Sequence, residues 1–388
     1  MREYKKVLVF ARHPSGGIRT YFRYVYGQPC MADIAFTFLT PASSALDSVL
    51  STLNNNRGHV TTEDSSFSLF WALLKNLLTA RFDLIHSHGF TAGILAAIPA
   101  RLSGTTHIIT THDVFLDNQF KGWKGRLKRW LIGRFLALAD TINPVGEDAR
   151  DNLIKTYPHL DMQANVVAIR NGIETSAFLL DERRNLRNEV GLDADVLLLG
   201  FFGRFMAQKG FRTLVDAVEE WNKDSENRSL HIACFGWGGF IREEQANLKA
   251  RNLDSFFHFF PATDEMNKAL RGVDAVVMPS RWEACPLLPM EAFVAGVPLL
   301  ATDCIGLKEV TKDTPVLRFP VDDSGSLVAA IKLLQKDCDS LNSKARAFRK
   351  IAAERFDVCS TSSSLKKLFI ANSSENSKGR FLRNSGKH

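Results

Sequence analysis

Paired cysteines and long apolar runs are both missing from this sequence of 388 residues. The six cysteines stand singly, without a C-x-x-C pair, which argues against a disulfide framework or a zinc site and favours reduced thiols. The longest weakly polar stretch, residues 90–100, is shorter than the ~20 residues that a helix needs to cross a bilayer. The N-terminal apolar run ends at Phe10, too early for a signal peptide, so we expect a cytoplasmic protein.

A recognisable nucleic-acid-binding module is also absent, although the net charge is +7. No basic groove with interleaved aromatic residues can be traced, and no nucleic-acid partner is therefore expected. Hydrophobic residues make up 45% and charged residues 23% of the chain, as in soluble globular proteins. The length favours two domains, because a single core rarely serves so many residues.

Short apolar runs alternate with longer amphipathic stretches along the whole chain. This alternation predicts parallel strands joined by right-handed helical crossovers, that is, doubly wound α/β sheets. The predicted strands are residues 6–10, 83–87, 106–111, 141–143, 166–169, 196–202, 230–235, 256–260, 275–278 and 299–301. The predicted helices of the first half are residues 18–26, 67–80, 91–102, 124–138 and 147–157.

The pattern restarts after a charged stretch at residues 180–195, which predicts two Rossmann-like domains. We place the first at residues 1–178 and the second at 179–365. Residues 366–388 form a polar basic tail that we expect to be disordered or loosely attached. Because ligands of open α/β sheets lie beyond the carboxyl ends of the strands, the loops after the strands should carry the function.

Two loops of the second half have the residues for such a site. Gly203 and Arg204 follow one predicted strand, and Lys209 and Gly210 precede the next helix, so two cations suited to a diphosphate stand in one loop. Glu283 follows the strand at 275–278, and Glu291 lies inside the next helix, whose N-terminal N–H groups favour an anion. Taken singly, each of these residues is equally consistent with ordinary surface or salt-bridge chemistry.

Together, these motifs resemble retaining glycosyltransferases of family 4, which have the GT-B fold of two Rossmann-like domains. The resemblance rests on their order along residues 6–356, from Pro14-Ser15-Gly16-Gly17-Ile18 through Thr111-His112-Asp113 and Asn171-Gly172-Ile173 to Ala295-Gly296-Val297-Pro298-Leu299. It implies an α/β GT-B enzyme with an acceptor-side N-terminal domain and a donor-binding C-terminal domain.

The resemblance also implies a role for each matching residue. His112, Glu283, Arg204 and Lys209 would be the catalytic residues, with Arg204 and Lys209 on the donor diphosphate, Glu283 on the donor sugar and His112 facing that sugar. Glu291 would bind the ribose. The donor-binding set implied in this way is Gly16, Gly17, Gly203, Arg204, Lys209, Gly236, Glu283, Leu287, Leu288 and Glu291.

The loop between the two glutamates departs from many relatives, which have glycines where this chain has Ala284, Cys285 and Pro286. Pro286 lacks an N–H group, so one backbone contact to the sugar is lost and the donor sugar stays open. Because the departing diphosphate can be stabilised by cations and amides, no metal or other cofactor is expected, and the nucleotide sugar is a co-substrate. The glycine-rich segment from Gly236 does not complete a dinucleotide fingerprint and is interpreted as a donor-contacting loop.

Other features could suggest a metal ion. The D-x-D match at 193–195 precedes its predicted strand, at the wrong edge of the sheet for a ligand, and the match at 337–339 follows a late helix. Both are interpreted as surface carboxylates. His86, His88 and His107 lie close in sequence, but no matching carboxylate or thiol cluster accompanies them. Hydrogen-bonded structural roles are therefore favoured for these histidines over metal ligation.

A basic, tryptophan-containing segment predicts a membrane-facing surface. Basic side chains attract anionic headgroups, and tryptophan favours the interface. A solvated helix with inward-facing tryptophans is the alternative. We expect peripheral attachment to the inner face of a membrane through Lys121, Trp123, Lys124, Arg126, Lys128, Arg129, Trp130 and Arg134.

The sequence thus predicts a glycosyltransferase of the hexosyltransferase type. It would move a sugar from a nucleotide-sugar donor to a glycan or lipid-linked saccharide, with retention of anomeric configuration and without a metal. Two alternatives stay open: a non-catalytic GT-B partner that binds nucleotide sugar or glycan, and an inverting, epimerase-like GT-B enzyme.

Overall fold

The chain forms two compact units in a computed structural model that describes residues 5–163, 165–224, 229–261 and 263–384. Unit 1 comprises Met1–Gly172 together with Val358–His388, and unit 2 comprises Ile173–Asp357. Within the described residues, no helix is long and apolar enough to span a membrane.

Unit 1 contains a seven-stranded parallel sheet with the strand order β3-β2-β1-β4-β5-β6-β7. The direction of the strand order reverses between β1 and β4, so the topological switch point of this sheet lies between these two strands. The predicted strands β1, β4, β5 and β6 are confirmed, whereas β2 and β3 were not predicted. The strands are β1 (Lys5–Ala11), β2 (Ile34–Pro41), β3 (Asn56–Thr62), β4 (Leu84–His88), β5 (Thr106–Thr111), β6 (Thr141–Pro144) and β7 (Asn165–Val166).

Helices cover both faces of this sheet, and α4 packs beside both α3 and α5. The helix predicted at 18–26 is α1 followed by a π-helical turn, Phe22–Tyr26. Short 3-10 helices occupy Pro29–Met31 and Asp117–Phe120. The α-helices of the first segment are α1 (Gly17–Tyr21), α2 (Ser44–Ser51), α3 (Ser66–Thr79), α4 (Phe90–Ser103), α5 (Gly122–Leu136), α6 (Glu147–Thr156) and α7 (Leu160–Gln163).

Unit 2 contains a six-stranded parallel sheet with the order β10-β9-β8-β11-β12-β13, so its switch point lies between β8 and β11. Its strands read as continuous apolar runs because both faces are covered, and β8 is buried at every residue. Five of the six strands were predicted, and β13 was not. They are β8 (Leu197–Phe202), β9 (Leu230–Phe235), β10 (Phe257–Phe260), β11 (Ala275–Met278), β12 (Leu299–Thr302) and β13 (Leu317–Phe319).

The helices of unit 2 bury apolar stripes against this sheet, as α10 does with Leu214, Val218 and Trp221. Short 3-10 helices occupy Ala207–Lys209 and Asp254–Phe256. The α-helices are α8 (Thr175–Leu179), α9 (Leu186–Glu189), α10 (Phe211–Trp221), α11 (Ile241–Ala250), α12 (Met266–Leu270), α13 (Leu288–Ala295), α14 (Leu307–Val310), α15 (Ser324–Lys336) and α16 (Cys338–Arg355).

The C-terminal segment differs from the sequence prediction. Helix α17 (Val358–Asn384) belongs to unit 1, so residues 358–365 do not lie in the second domain and residues 366–384 are helical. Leu365 and Phe369 are fully buried, and Lys366 Nζ donates to Cys30 O at 2.7 Å. The buried residues show that this helix has an apolar side packed on unit 1. The average composition of the segment is polar, so composition alone did not reveal that side. Residues 385–388 of the predicted tail lie outside the described residues.

Candidate active site

The loops after β8 and β11 meet at the switch point of unit 2. The amide of Arg281 donates to Gln208 O at 2.8 Å, and Gln208 Nε2 donates to Trp282 O at 2.9 Å. Gly210 adopts φ +63°, and a Cβ there would stand 1.8 Å from Pro279 O. Only glycine therefore permits this close approach, which brings Lys209 beside the predicted carboxylate of Glu283. The role of Gln208 as a connector was not predicted.

Lys209 and Glu283 form an ion pair across these loops. Lys209 Nζ lies 2.6 Å from Glu283 Oε1, and their side chains are only 19% and 8% exposed. Ser280 Oγ donates to the same oxygen at 2.8 Å. The carboxylate is thus fixed by two donors, and the ammonium keeps further N–H groups for another acceptor.

The backbone around Glu283 is held from the β12 side by residues that sequence reasoning missed. The Glu283 amide donates to Ile305 O at 3.1 Å, and Thr302 Oγ1 donates to Ser280 O at 2.5 Å. Burial raises the pKa of the nearby Cys304 thiol to about 11, which keeps it neutral. A Cβ on Gly306 would stand 2.5 Å from Glu283 O, and this glycine 23 residues beyond the glutamate gave no sequence signal.

Arg204 lies in the same loop region but is exposed. It has no hydrogen bond or ion pair with any residue within the described ranges, so its guanidinium is available for a ligand. Its loop is fixed by the amide of Gly203, which donates to Phe235 O at 2.9 Å. A Cβ on Gly236 would stand 1.8 Å from Gly203 O, so the predicted donor-loop glycine supports this loop by close packing.

Helix α13 begins where the sequence predicted and ends at Gly296, which has φ +72°. The amide of Glu291 donates to Leu287 O at 3.0 Å, which is the first bond of this helix. The N–H groups of Leu287 and Leu288 therefore precede the first intrahelical bond, as an anion site requires. The Glu291 side chain is buried within the first turn.

The three residues that follow Glu283 are packed inside. Ala284 and Cys285 are each 6% exposed, and Pro286 is also buried. Their burial means that substitutions here would alter the packing of the loop between the two glutamates.

The predicted residues of unit 1 lie at the carboxyl edge of its own sheet. Gly16, with φ +56°, precedes α1, and a Cβ on Gly17 would meet nothing within 4 Å. His112 directly follows β5, where its Nε2 lies 2.9 Å from Nδ1 of His88. The structure thus groups Gly16, Gly17 and His112 at one end of one sheet.

The histidines and D-x-D carboxylates that could suggest a metal ion have hydrogen-bond partners or lie apart from the site. His86 and His88 bond to the hydroxyl of Tyr26, and His107 Nε2 lies 2.9 Å from Ser87 Oγ. Of the D-x-D pairs, one precedes β8 and the other lies at the start of α16. Across the part of the chain that the structure describes, no group of three or more His, Cys, Asp or Glu side chains is placed to hold a metal ion.

Two family models match successive parts of this chain. A model described as Glycosyltransferase Family 4 matches residues 15–177, and one described as Glycosyl transferases group 1 matches residues 197–337. The alpha-maltose-1-phosphate synthase of Mycolicibacterium smegmatis is 25% identical over 297 residues, which cover 70% of this chain and 75% of that protein. An O-antigen biosynthesis glycosyltransferase of Escherichia coli is 25% identical over 71% of this chain and 75% of its own length.

Solved structures give the same fold. Anabaena HepE in complex with UDP-glucose superposes with a TM-score of 0.79 at 17% identity, over 95% of this chain and 99% of that one. Sucrose-phosphate synthase from Thermosynechococcus elongatus gives a TM-score of 0.75 at 17% identity, over 95% and 99%. The family models and the relatives, together with this fold, identify a glycosyltransferase of the GT-B fold. More particularly, the chain belongs to glycosyltransferase family 4.

Proposed function

We propose that this glycosyltransferase takes its sugar from a nucleotide-sugar donor held by unit 2 and transfers it with retention of anomeric configuration, without a metal. The observation that carries the proposal is the arrangement of Arg204, Lys209 and Glu283 at the switch point between β8 and β11. In open α/β sheets this is the position at which nucleotides bind. The bound UDP-glucose of the HepE complex is the kind of donor that such a site would take.

The roles follow from charge development in the reaction. Breaking the bond between the anomeric carbon and the donor oxygen leaves an oxocarbenium-like sugar and an extra negative charge on the diphosphate. Arg204, Lys209 and the N–H groups of Leu287 and Leu288 would stabilise that charge, which is the largest effect available to the site. Glu291 would bind the ribose hydroxyls and Glu283 those of the sugar.

Arg204→Ala is the variant that tests the donor site. Because Arg204 is exposed and bonds no residue in the described ranges, its loss should leave the unfolding midpoint unchanged. The turnover number kcat should fall about 10²–10³-fold, as when one transition-state donor is removed. The measurement is transfer or hydrolysis of UDP-, GDP-, ADP- and CMP-sugars, after a thermal-shift screen to find the base. Arg183→Ala, which changes an exposed arginine outside these loops, is the matched control.

The same assay separates the alternatives. If no nucleotide sugar raises the unfolding midpoint of the wild type, and Glu291→Ala gives the same result in this screen, the assignment of the donor site is contradicted. Binding without turnover would support the non-catalytic partner. NMR of the product gives the anomeric configuration, and inversion or epimerised sugar would support the epimerase-like enzyme. Activity that disappears in EDTA and returns with a divalent cation would contradict the metal-independent reaction.

For the acceptor, we propose a glycan or lipid-linked saccharide, reached by peripheral attachment of helix α5 to an anionic membrane. Trp123 and Trp130 are 66% and 60% exposed, so they do not pack inward. Leu127 and Leu131 are exposed on the same helix, and the spacing of these four residues puts them along one stripe. The predicted cations of α5 are also exposed, although Arg129 Nε donates to Thr156 O at 3.1 Å. An apolar stripe flanked by cations fits an anionic bilayer.

Co-sedimentation with vesicles of phosphatidylglycerol and phosphatidylcholine tests this attachment. Changing Lys124, Arg126 and Lys128 together to Gln should weaken binding by about 3 kcal/mol, at about 1 kcal/mol for each cation, or roughly 100-fold. Replacing Trp123 and Trp130 by Ala should also weaken it, whereas Trp237→Ala, at an exposed tryptophan of unit 2, should not. Equal binding to neutral vesicles, or no response to the three Gln substitutions, would contradict the proposal.

A further inference from the structure

A chain of buried hydrogen bonds runs through unit 1 from His112 to β6. It contains three imidazole rings, one phenol, one hydroxyl and one amide, contributed by neighbouring strands and by the π-helical turn. All members except His112 are at most 2% exposed. The members are His112, His88, Tyr26, His86, Thr110 and Asn143.

The bonds are short and continuous. His112 Nε2 lies 2.9 Å from His88 Nδ1. The Tyr26 hydroxyl lies 2.6 Å from His88 Nε2 and 2.7 Å from His86 Nδ1. His86 Nε2 lies 2.7 Å from Thr110 Oγ1. Once the donor and acceptor are known at one end of this hydrogen-bond chain, the position of every hydrogen along it follows.

The amide of Asn143 sets the direction of the chain. Its Nδ2 donates to Val167 O at 2.8 Å, so its Oδ1 faces Thr110 and accepts from the Thr110 hydroxyl at 2.9 Å. The single hydroxyl hydrogen of Thr110 is then in use. Thr110 must consequently accept from His86, whose hydrogen is on Nε2.

The three rings are neutral. Burial lowers the pKa of His86 and of His88 well below the ordinary value, with neighbouring imidazoles adding to the effect, and burial lowers the pKa of His112 to about 3. The rings packed against them from other elements are those of Tyr21, Phe22 and Phe369. The Tyr21 hydroxyl bonds to Thr110 and must donate to it, because the Thr110 hydrogen is directed at Asn143. Each imidazole therefore carries one N–H group at neutral pH.

One assignment satisfies every bond. Because His86 uses its N–H on Thr110, its Nδ1 accepts from the Tyr26 hydroxyl. The Tyr26 oxygen then accepts from His88 Nε2–H, which leaves His88 Nδ1 as an acceptor for His112 Nε2–H. The Nδ1 atom of His112 is left unprotonated, and it bonds to no residue in the described ranges.

We propose that Tyr26, acting through His88, holds His112 as the neutral tautomer protonated on Nε2, so that the Nδ1 lone pair accepts a hydrogen bond from a substrate hydroxyl. Tyr26, His88, His86, Thr110 and Asn143 are positioning residues in this arrangement, and His112 is the group that touches the substrate. That this hydroxyl belongs to a sugar rests on the proposed function; the tautomer does not.

Nitrogen-15 NMR of the histidine side chains in the full chain reads the tautomer directly. In the wild type between pH 6 and 8, the His112 ring, assigned with His112→Gln, should show protonated Nε2 and bare Nδ1. A ring protonated on Nδ1, or on both nitrogens, would overturn the proposal. This readout does not depend on activity, so a missing transferase activity would contradict the proposed function and leave the tautomer standing.

Tyr26→Phe tests the positioning role, with Tyr157→Phe as its matched control. Phenylalanine fits at position 26 because Phe22, Phe36 and Phe38 surround it, and the buried Tyr157 hydroxyl has no hydrogen-bond partner in the described ranges. Tyr26→Phe should give a mixture of His112 tautomers and lower kcat about 3- to 10-fold, as for one lost hydrogen bond. Tyr157→Phe should change neither. An unaltered His112 tautomer in Tyr26→Phe would refute the role of Tyr26.

A second pair of variants covers the case in which Tyr26→Phe does not fold. Thr110→Ser keeps the hydroxyl and should retain the wild-type tautomer, whereas the isosteric Thr110→Val removes it and should give mixed tautomers of His112. Identical His112 spectra for the two variants would contradict the claim that the Thr110 hydroxyl influences the His112 tautomer through these hydrogen bonds.

Discussion

Lys209→Met should lower the free energy of unfolding by about 3–5 kcal/mol, the cost of breaking a buried ion pair from one side. Methionine keeps the length and apolar stem of lysine but removes the charge 2.6 Å from Glu283 Oε1. With a side chain only 8% exposed, Glu283 then keeps the Ser280 hydroxyl but loses its cation. Urea unfolding of the wild type and the variant at neutral pH measures the difference.

A double variant separates stability from catalysis at this pair. Adding Glu283→Gln to Lys209→Met removes the stranded carboxylate and should recover most of the lost stability, whereas transferase activity should stay low because the diphosphate has lost a cation. The control is Lys223→Met, which breaks a surface pair with Glu219 at 3.6 Å and should cost less than about 1 kcal/mol. Additive losses in the double variant would mean that Lys209 and Glu283 do not interact.

Lowering the pH should reduce the free energy of unfolding of unit 1 by more than the titration of a single group would. Burial holds the pKa of four of its histidines below the ordinary value, with His107 and His112 at about 3 and His86 and His88 well below the usual range. In each case the folded state disfavours the proton, which the unfolded chain binds near pH 6.5. Stability is therefore fully present above about pH 6.5 and falls as the pH is lowered from there towards 3.

The expected slope below pH 6 is about 1.4 kcal/mol per pH unit for each histidine, or roughly 5 kcal/mol per unit for the four together. Urea unfolding at pH 7.5, 6.5, 5.5 and 5.0 measures it. His107→Gln removes one titrating ring of unit 1, so its slope should be smaller by about 1.4 kcal/mol per pH unit. Equal slopes for the variant and the wild type would show that His107 is not held neutral by the fold.

Much of the site could be predicted because it depends on local sequence. Pro289 and Gly296 marked helix α13, and the apolar runs marked β8 and β11, so the positions of Arg204, Glu283 and Glu291 after strands followed directly. The β2 strand was missed although its Phe36 and Phe38 alternate clearly. The half-exposed edge strand β3, by contrast, has a polar sequence with little pattern to find.

The sequence by itself determined the hydrophobic patterns of the strands and helices and the loop residues that follow them. Each of these depends on residues within a few positions along the chain. Tertiary structure alone decided which distant groups meet. Lys209 pairs with Glu283 because β8 and β11 are neighbours in the sheet, and α17 returns to unit 1 because Leu365 and Phe369 find a core there. The His112 tautomer likewise depends on tertiary structure, because the buried polar groups from His88 to Asn143 come from different elements and must pair with one another.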